Sequence, residues 1–371
     1  MEKYVRIPLR LDTHRRIHYN AFFLEPDIRR LLELVETYDY MQTIGFAKEA
    51  MEYMEIKANN AVEGLNDDLS EIDEAIKNRT SIPTSKKQRI INLHKGYHYI
   101  LTHDTIEKES LKRLYAILSK NLLDDYSVEN MGEYYRQRPV YILKGGRLDI
   151  EPYRGMEEKE LDMYMDAFFE YVNGDNTKNE IDNFIKSQIM HFYFVYVHPY
   201  FDVNGRTSRT VAMWHLLNTE SYPYIIFNRA ISSTRNKYEE SIISSRRGDI
   251  TPFLRYMIDV VTKQLEKERI IHNIVQSAGH LQGEEKQIID YLLSMKQVPT
   301  IKNLATTYNY YNVRRKVQAI AQDYILPLME RGIILEEGQT SKGVSPEIPN
   351  YILKLNEEMV QDTPHQKILI R

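Results

Sequence analysis

The chain has 371 residues, with 49 Lys+Arg against 53 Asp+Glu and a formal net charge of −4, so no global field draws it to nucleic acid or to a membrane surface. It has no cysteine, which excludes disulfides, thiolate nucleophiles and cysteine-based metal sites. A hydrophobic share of 42% supports a sizeable core in two or three domains. The first twelve residues are charged where a signal peptide would be apolar, and no apolar run reaches membrane-span length, so a cytoplasmic protein is expected. Along the chain, apolar residues recur at helical spacing over 27–40 and 42–58. Residues 59–66, with Asn59-Asn60 and Gly64, read as a break. Helices are predicted over 69–77, 86–101 and 110–120. Residues 134–139 and 140–143 read as extended, 144–147 as a turn and 148–150 as a return strand, which is a β-hairpin signal. Helical patterning resumes over 159–172, 181–197, 205–218, 235–245 and 251–275, followed by a linker at 276–282. Three more helices are predicted over 284–295, 300–308 and 312–331, then a strand at 332–336, and 362–371 is expected to be loosely ordered.

The chemistry gathers in one stretch, His198-Pro199-Tyr200-Phe201-Asp202-Val203-Asn204-Gly205-Arg206-Thr207-Ser208-Arg209. An apolar run leads in and a helical run leads out, so the segment reads as buried helix, short polar loop, then the start of a second helix. Free backbone N–H groups and the positive end of a helix dipole face anions well. Arg206 and Arg209 share one face of the new helix, and two guanidiniums there suit a di- or triphosphate. Taken singly, each part is ordinary: His-Pro is a helix end, Asn-Gly a turn, and spaced arginines a solvated face.

Together these residues resemble the signature of Fic (Fido) domain proteins, His-Pro-Phe-x-Asp/Glu-Gly-Asn-Gly-Arg-x-x-Arg. Tyr200 stands for the Phe and Val203 for the first Gly. Glycine there would accept positive φ and let backbone amides approach a phosphate, whereas a β-branched residue disfavours positive φ. Val203 therefore leaves the nucleotide and its affinity open. Upstream, Gly132-Glu133-Tyr134-Tyr135-Arg136 followed by Val140, Tyr141 and Ile142 resembles the family's flap hairpin, which docks a target segment by strand addition. From the residues alone it is a surface hairpin. His191 and His215 are read as core or supporting histidines, since no Glu or Cys completes a metal set with His198 at a known spacing. Residues 236–240 and 248–253 resemble the closing helices, so the likeness covers 27–267.

Asn59-Asn60-Ala61-Val62-Glu63-Gly64 resembles the family's inhibitory motif Ser/Thr-x-x-x-Glu-Gly/Asn, with Asn59 in the Ser/Thr position. The resemblance implies a helix on which Glu63 pairs with Arg209 and fills the place a γ-phosphate needs. Without the signature, the same residues are a helix C-terminus ended by Gly64. The tail's helix-helix-helix-strand order resembles a winged helix-turn-helix, in which Arg314, Arg315 and Lys316 would meet a phosphate backbone. That stretch is not markedly basic, and such modules also dock proteins.

The expected fold is mainly α: a Fic-type helical bundle with a small β-hairpin flap, plus a winged helix-turn-helix-like domain. The expected domains are an N-terminal helical region with the inhibitory motif (1–105), a Fic core (106–275), the winged-helix-like domain (283–345) and a tail (346–371). The resemblance implies an auto-inhibited protein adenylyltransferase that transfers AMP from ATP to a Ser, Thr or Tyr hydroxyl. In it His198 is the general base, Asp202 holds Mg2+, and Asn204, Gly205, Arg206 and Arg209 bind the nucleotide. Asn59, Glu63 and Gly64 inhibit, and Val140, Tyr141 and Ile142 dock the target. Expected partners are a protein substrate, DNA through the C-terminal module, and a second copy in a homodimer; no membrane is expected. Other readings stay open: another nucleotide or phosphate-containing group, removal of AMP, or a DNA-binding regulator with a weak Fic domain.

Overall fold

The N-terminal residues form a hairpin rather than the helical region expected there. In this computed structural model, which describes residues 4–12, 14–37, 48–65, 67, 69–77, 84–142, 153–174, 178–279, 281–295, 299–311 and 315–360, β1 (Tyr4–Arg10) pairs antiparallel with β2 (Arg16–Asn20). Ile7 and Leu9 are buried while Arg6, Pro8 and Arg10 are exposed, the alternation of a half-buried strand. Asp12 closes the turn by accepting the N–H groups of His14 and Arg15. Helix α1 (Ala21–Thr37) then starts before residue 27 and carries Pro26 inside it. Asn20 Oδ1 accepts the Phe22 N–H at its start.

Helix α2 (Lys48–Val62) runs through Asn59 and Asn60, where a break was expected. Tertiary partners override the local preference: the Asn59 amide is fully bonded to Tyr97 and Arg209, so it does not compete with the helix backbone. The helix ends instead at Gly64, whose φ of 80° supplies the left-handed cap. Next come α3 (Leu69–Lys77), α4 (Ser85–Ile100), α5 (Lys108–Ser119) and α6 (Asp125–Glu129). Residues 134–139 form no strand; Met131 only bridges Arg136. The flap strands are β3 (Tyr141–Ile142) and β4 (Tyr153–Arg154), paired Tyr141 to Arg154 and Ile142 to Tyr153. The return strand is thus Tyr153–Arg154, and the expected one at 148–150 lies outside the described residues.

Helices α7 (Leu161–Asn173), α8 (Glu180–Val197), α9 (Asn204–Asn218), α10 (Phe227–Ser232), α11 (Arg235–Ser245) and α12 (Thr251–Ala278) follow. Helix α8 is buried on every side from Phe184 to Phe194, the mark of a central helix. Helix α9 packs against it and buries Val211, Trp214 and Leu216, with Trp214 edge-on to Tyr99 of α4. The hydroxyls of Thr207, Ser208 and Thr210 are buried too, each returning its proton to a preceding carbonyl.

The chain divides into one unit of Met1–Leu65 with Ser70–Gln264 and a second of Asn66–Leu69 with Leu265–Arg371, the division falling within α12. In the second unit α13 (Gly283–Ser294) and α14 (Ile301–Tyr311) precede α15 (Val317–Ile320), which passes through a π turn into α16 (Leu326–Glu330). Then β5 (Ile334–Gln339) pairs antiparallel with β6 (Tyr351–Leu355), before the short α17 (Glu357–Val360). Ile288, Ile301, Leu304, Ile325, Leu328, Ile334 and Leu353 share its core. Two expectations are corrected here. The 276–282 linker begins as α12 and buries Leu281, and the 346–371 tail contains β6. Arg314 and residues 361–371 lie outside the described residues. No helix among the described residues is long and apolar enough to cross a membrane.

Candidate active site

Helix α8 delivers His198 as its cap, in the left-handed conformation with φ 55° and ψ 61°. Its Nδ1 lies 3.3 Å from the Val195 carbonyl oxygen. A carbonyl only accepts, so Nδ1 carries the proton and Nε2 keeps a lone pair. Burial pushes the imidazole down to about 4; the Val195 bond and Glu63 oppose the shift, and the charges of Arg136 and Arg246 add to it. His198 is therefore a neutral proton acceptor at neutral pH.

Arg136 holds this histidine in place. Its guanidinium donates to the carbonyls of His198 (2.9 Å), Arg138 (2.8 Å) and Met156 (2.6 Å), while its own N–H bonds Pro199 O. One buried side chain thus ties the His198 loop to both flap strands' flanks. Gly155 N–H bonds Val140 O and Met156 N–H bonds Val197 O, completing the seam. Gly155 is required there, because a Cβ would stand 2.8 Å from Arg136 Nη2 and from Val140 Cγ1. Tyr141 on β3 is 60% exposed, leaving the strand an uncovered face.

The loop after His198 is shaped by Asn204. Its Oδ1 accepts the Tyr200 N–H at 3.0 Å and its Nδ2 donates to Tyr200 O at 2.8 Å, so the amide is spent on the loop itself. Tyr200 fills the position expected for Phe, stacking on Tyr115 with centroids 3.5 Å apart. Val203 does adopt positive φ, 65°. A left-handed valine costs about 1–2 kcal/mol, which burying a side chain of this size offsets at roughly 1.5–3 kcal/mol; Val203 is 3% exposed. The loop shape that glycine would favour is retained. Asp202 is exposed, one oxygen accepting the Val203 N–H at 2.6 Å.

Arg206 and Arg209 begin α9 and differ in their partners. Arg209, 1% exposed, donates to Asn59 Oδ1 through Nε (3.0 Å) and Nη2 (2.8 Å), to Asn59 O (3.2 Å) and to Glu63 Oε1 (2.6 Å). Burial pushes the Glu63 carboxyl up, but the charges of Arg209, Arg206 and Arg235 outweigh it and hold it below the usual carboxylate range. Arg206, 6% exposed, has no partner for Nε or Nη1. Gly205 lies under the ion pair: a Cβ there would stand 2.6 Å from Glu63 Oε1 and 3.1 Å from Arg209 Nη1. Gly64 likewise lies under Arg235, whose Nη1 would overlap a Cβ.

Behind Arg209 runs a buried relay. The Tyr238 hydroxyl, close enough to feel the Arg209 charge, donates to His191 Nε2 at 2.8 Å, and His191 Nδ1 donates to Gln188 Oε1 at 3.3 Å. Burial holds His191 down at about 3 and His215 at about 4. Among the described residues, His191, His198 and His215 form no metal-ligating group. Tyr97 and Arg235 were not singled out by sequence, and Arg136 and Tyr238 were read only as parts of family-like segments, with no role of their own. Their partners are backbone carbonyls or side chains far along the chain, and only a charged residue set in the aromatic run Tyr134-Tyr135-Arg136 hinted at a buried role.

The Fic/DOC family model matches residues 105–216, which include the loop and both of its helices. Protein adenylyltransferase Fic of Drosophila virilis is 25% identical over 250 residues, 65% of this chain and 49% of its own length. The Drosophila yakuba protein of the same name is 30% identical over 135 residues, 36% of this chain and 25% of its own. The chain thus spans about half or less of the length of these relatives. A Fic family protein from Desulfovibrio desulfuricans G20 superposes with a TM-score of 0.54 at 17% identity, covering 89% of this chain and 95% of that one. Fic-1 of C. elegans gives 0.53 at 17%, covering 69% and 75%. Residues 105–216 thus match the Fic/DOC family, and the superposed structures share the fold.

Proposed function

We propose that the protein is an auto-inhibited adenylyltransferase that moves AMP from ATP to a hydroxyl of a protein substrate. One observation carries the reading: a buried Arg206 with two unpartnered N–H positions, beside a helix N-terminus and a neutral His198. Such a guanidinium calls for an anion. The name shared by the Drosophila relatives supports AMP as the transferred group.

The chain's own groups account for the chemistry. Arg206 and the first N–H groups of α9 bind the phosphates and stabilise the charge that develops on transfer. His198 Nε2 takes the proton from the attacking hydroxyl. A new bond forms from that oxygen to the α-phosphorus, the bond to the β-phosphate oxygen breaks, and pyrophosphate leaves. Asp202, an exposed hard-oxygen donor beside the phosphate cradle, fits Mg2+ and would hold it. When bound, the ion would neutralise phosphate charge. Asn204 acts by holding the loop, and the exposed β3 edge with Val140, Tyr141 and Ile142 receives the target.

Auto-inhibition rests on the Glu63–Arg209 pair. An arginine already bonded to Glu63 and Asn59 cannot serve a γ-phosphate, and the carboxylate repels one. Asn59 replaces the Ser/Thr of the resembling motif and contributes more, since its Oδ1 takes two bonds from Arg209. In the second unit, three helical segments followed by an antiparallel hairpin, with Thr300 bridging Ile352, support a winged-helix reading. Arg315 there is bonded to Asp323 and Tyr324, so a DNA contact would fall to the exposed Lys316.

The test is label transfer from α-labelled ATP to the chain and to lysate proteins. Glu63→Gly is expected to raise transfer, and adding His198→Ala to abolish it while nucleotide still binds. Unchanged transfer in Glu63→Gly would remove the inhibitory role, and persistence in the double variant would remove His198 as base. Silence with ATP but transfer from another nucleotide would replace AMP as the group.

A further inference from the structure

We propose that Glu52, His94 and His98 form a binding site for a divalent transition metal, with Zn2+ as the ion that fits. His94 and His98 lie one turn apart on a single face of α4, and Glu52 reaches them from the first half of α2. One ligand atom from each residue lies within 4.8 Å of the other two. Glu52 Oε1 is 2.5 Å from His94 Nδ1 and 3.7 Å from His98 Nε2. The two rings meet edge to face, with centroids 4.5 Å apart.

Tetrahedral Zn2+ with bonds of about 2.0–2.2 Å holds its ligand atoms roughly 3.4 Å apart. The two separations from Glu52 bracket that value, so small side-chain rotations, the largest of them in the mostly exposed His98, suffice. Two imidazoles and one carboxylate favour Zn2+ over Mg2+ or Ca2+, which prefer all-oxygen shells. The side chains of His94 and Glu52 are 15% and 17% exposed, whereas His98 is 60% exposed. The site is therefore seated against the fold yet open on one side, leaving an entry path and a fourth position for water.

The placement has a consequence that rests on the proposed auto-inhibition. Helix α2 carries Glu52 near one end and Asn59 and Glu63 at the other, and α4 also provides Tyr97 to Asn59 at 3.0 Å. A metal joining α2 to α4 would steady the helix that holds Glu63 on Arg209. Bound Zn2+ would then lower transfer by the wild type.

The full chain, freed of metal with a chelator, is titrated with Zn2+ by calorimetry and with Co2+ by visible absorption. One equivalent of Zn2+ and an intense tetrahedral Co2+ spectrum are expected. Glu52→Gln and His98→Ala should each weaken binding by about tenfold or more. His98→Ala removes a mostly exposed ring, and an unchanged thermal melt would show the fold intact. Equal Zn2+ affinity in wild type and folded His98→Ala, or a weak octahedral Co2+ spectrum in wild type, overturns the site. These readouts need no catalysis, so they stand apart from the adenylyltransferase reading. Zn2+ bound without any change in measurable wild-type transfer would overturn the regulatory consequence alone.

Discussion

Arg206 and Arg209 lie three positions apart on one helix, both buried, and live in opposite chemical conditions. Arg209 is bonded to Asn59 and Glu63. Arg206 has two N–H positions with nothing to bond. A buried charge without partners is costly, and a paired one is costly to break. The difference separates two demands on one surface: Arg209 helps to hold the fold together, whereas in the proposed function Arg206 is kept for an incoming phosphate.

The largest effect should come from Arg206. In a Glu63→Gly background, Arg206→Ala is expected to lower kcat/KM for transfer by about 10²–10³; steady-state kinetics retaining activity would break the contrast at its functional end. Stability should invert the ranking. Arg209→Ala, which strands Asn59 and Glu63, should cost about 2–3 kcal/mol of unfolding free energy. Arg206→Ala should be near neutral or stabilising, and denaturant unfolding compares the two directly. Equal losses would mean that Arg206 also has a structural task.

Acid should act through the buried histidines. His191, His198 and His215 sit at about 3, about 4 and about 4 in the folded chain, below the ordinary 6.5, so the unfolded chain binds protons that the folded chain refuses. Stability is then fully present above 6.5 and falls as pH drops toward 4, by about 1.4 kcal/mol per pH unit for each histidine. His191→Gln should flatten part of that slope in urea unfolding measured across pH. The smallest effect belongs to the loop between the two arginines and His198. Val203→Gly relieves backbone strain but loses a buried side chain, so unfolding should shift by less than about 1 kcal/mol. A larger loss would show that valine is there for packing.

The parts of this site that sequence revealed are those whose chemistry is contiguous. His198 through Arg209 fall within one loop and one helix turn, so spacing alone placed them together. Glu63 was legible only through the resemblance, since by periodicity Asn59 and Asn60 looked like a helix break. It took Tyr97 and Arg209, far along the chain, to satisfy Asn59 and keep α2 whole. Arg136 went unread because its acceptors are carbonyls, which every residue has. The pairing of Tyr153–Arg154 with β3 went unread because backbone bonds from Gly155 and Met156 anchor the segment, rather than an apolar alternation. The β1–β2 hairpin, by contrast, was available in the alternation of Val5, Ile7, Leu9 and Leu11.

In the proposed auto-inhibition, Gly205 shows how little separates the closed site from an open one. Its missing methyl group is the clearance that lets the Glu63 carboxylate settle over the helix start, 2.6 Å from where that carbon would be. The obstructing atom is the end of a flexible side chain, so an alanine at 205 would act as a wedge, displacing Glu63 while leaving α9 helical. The lock is therefore hinged on both faces. A change on the helix that is closed upon can release it as surely as a change on the arm that closes.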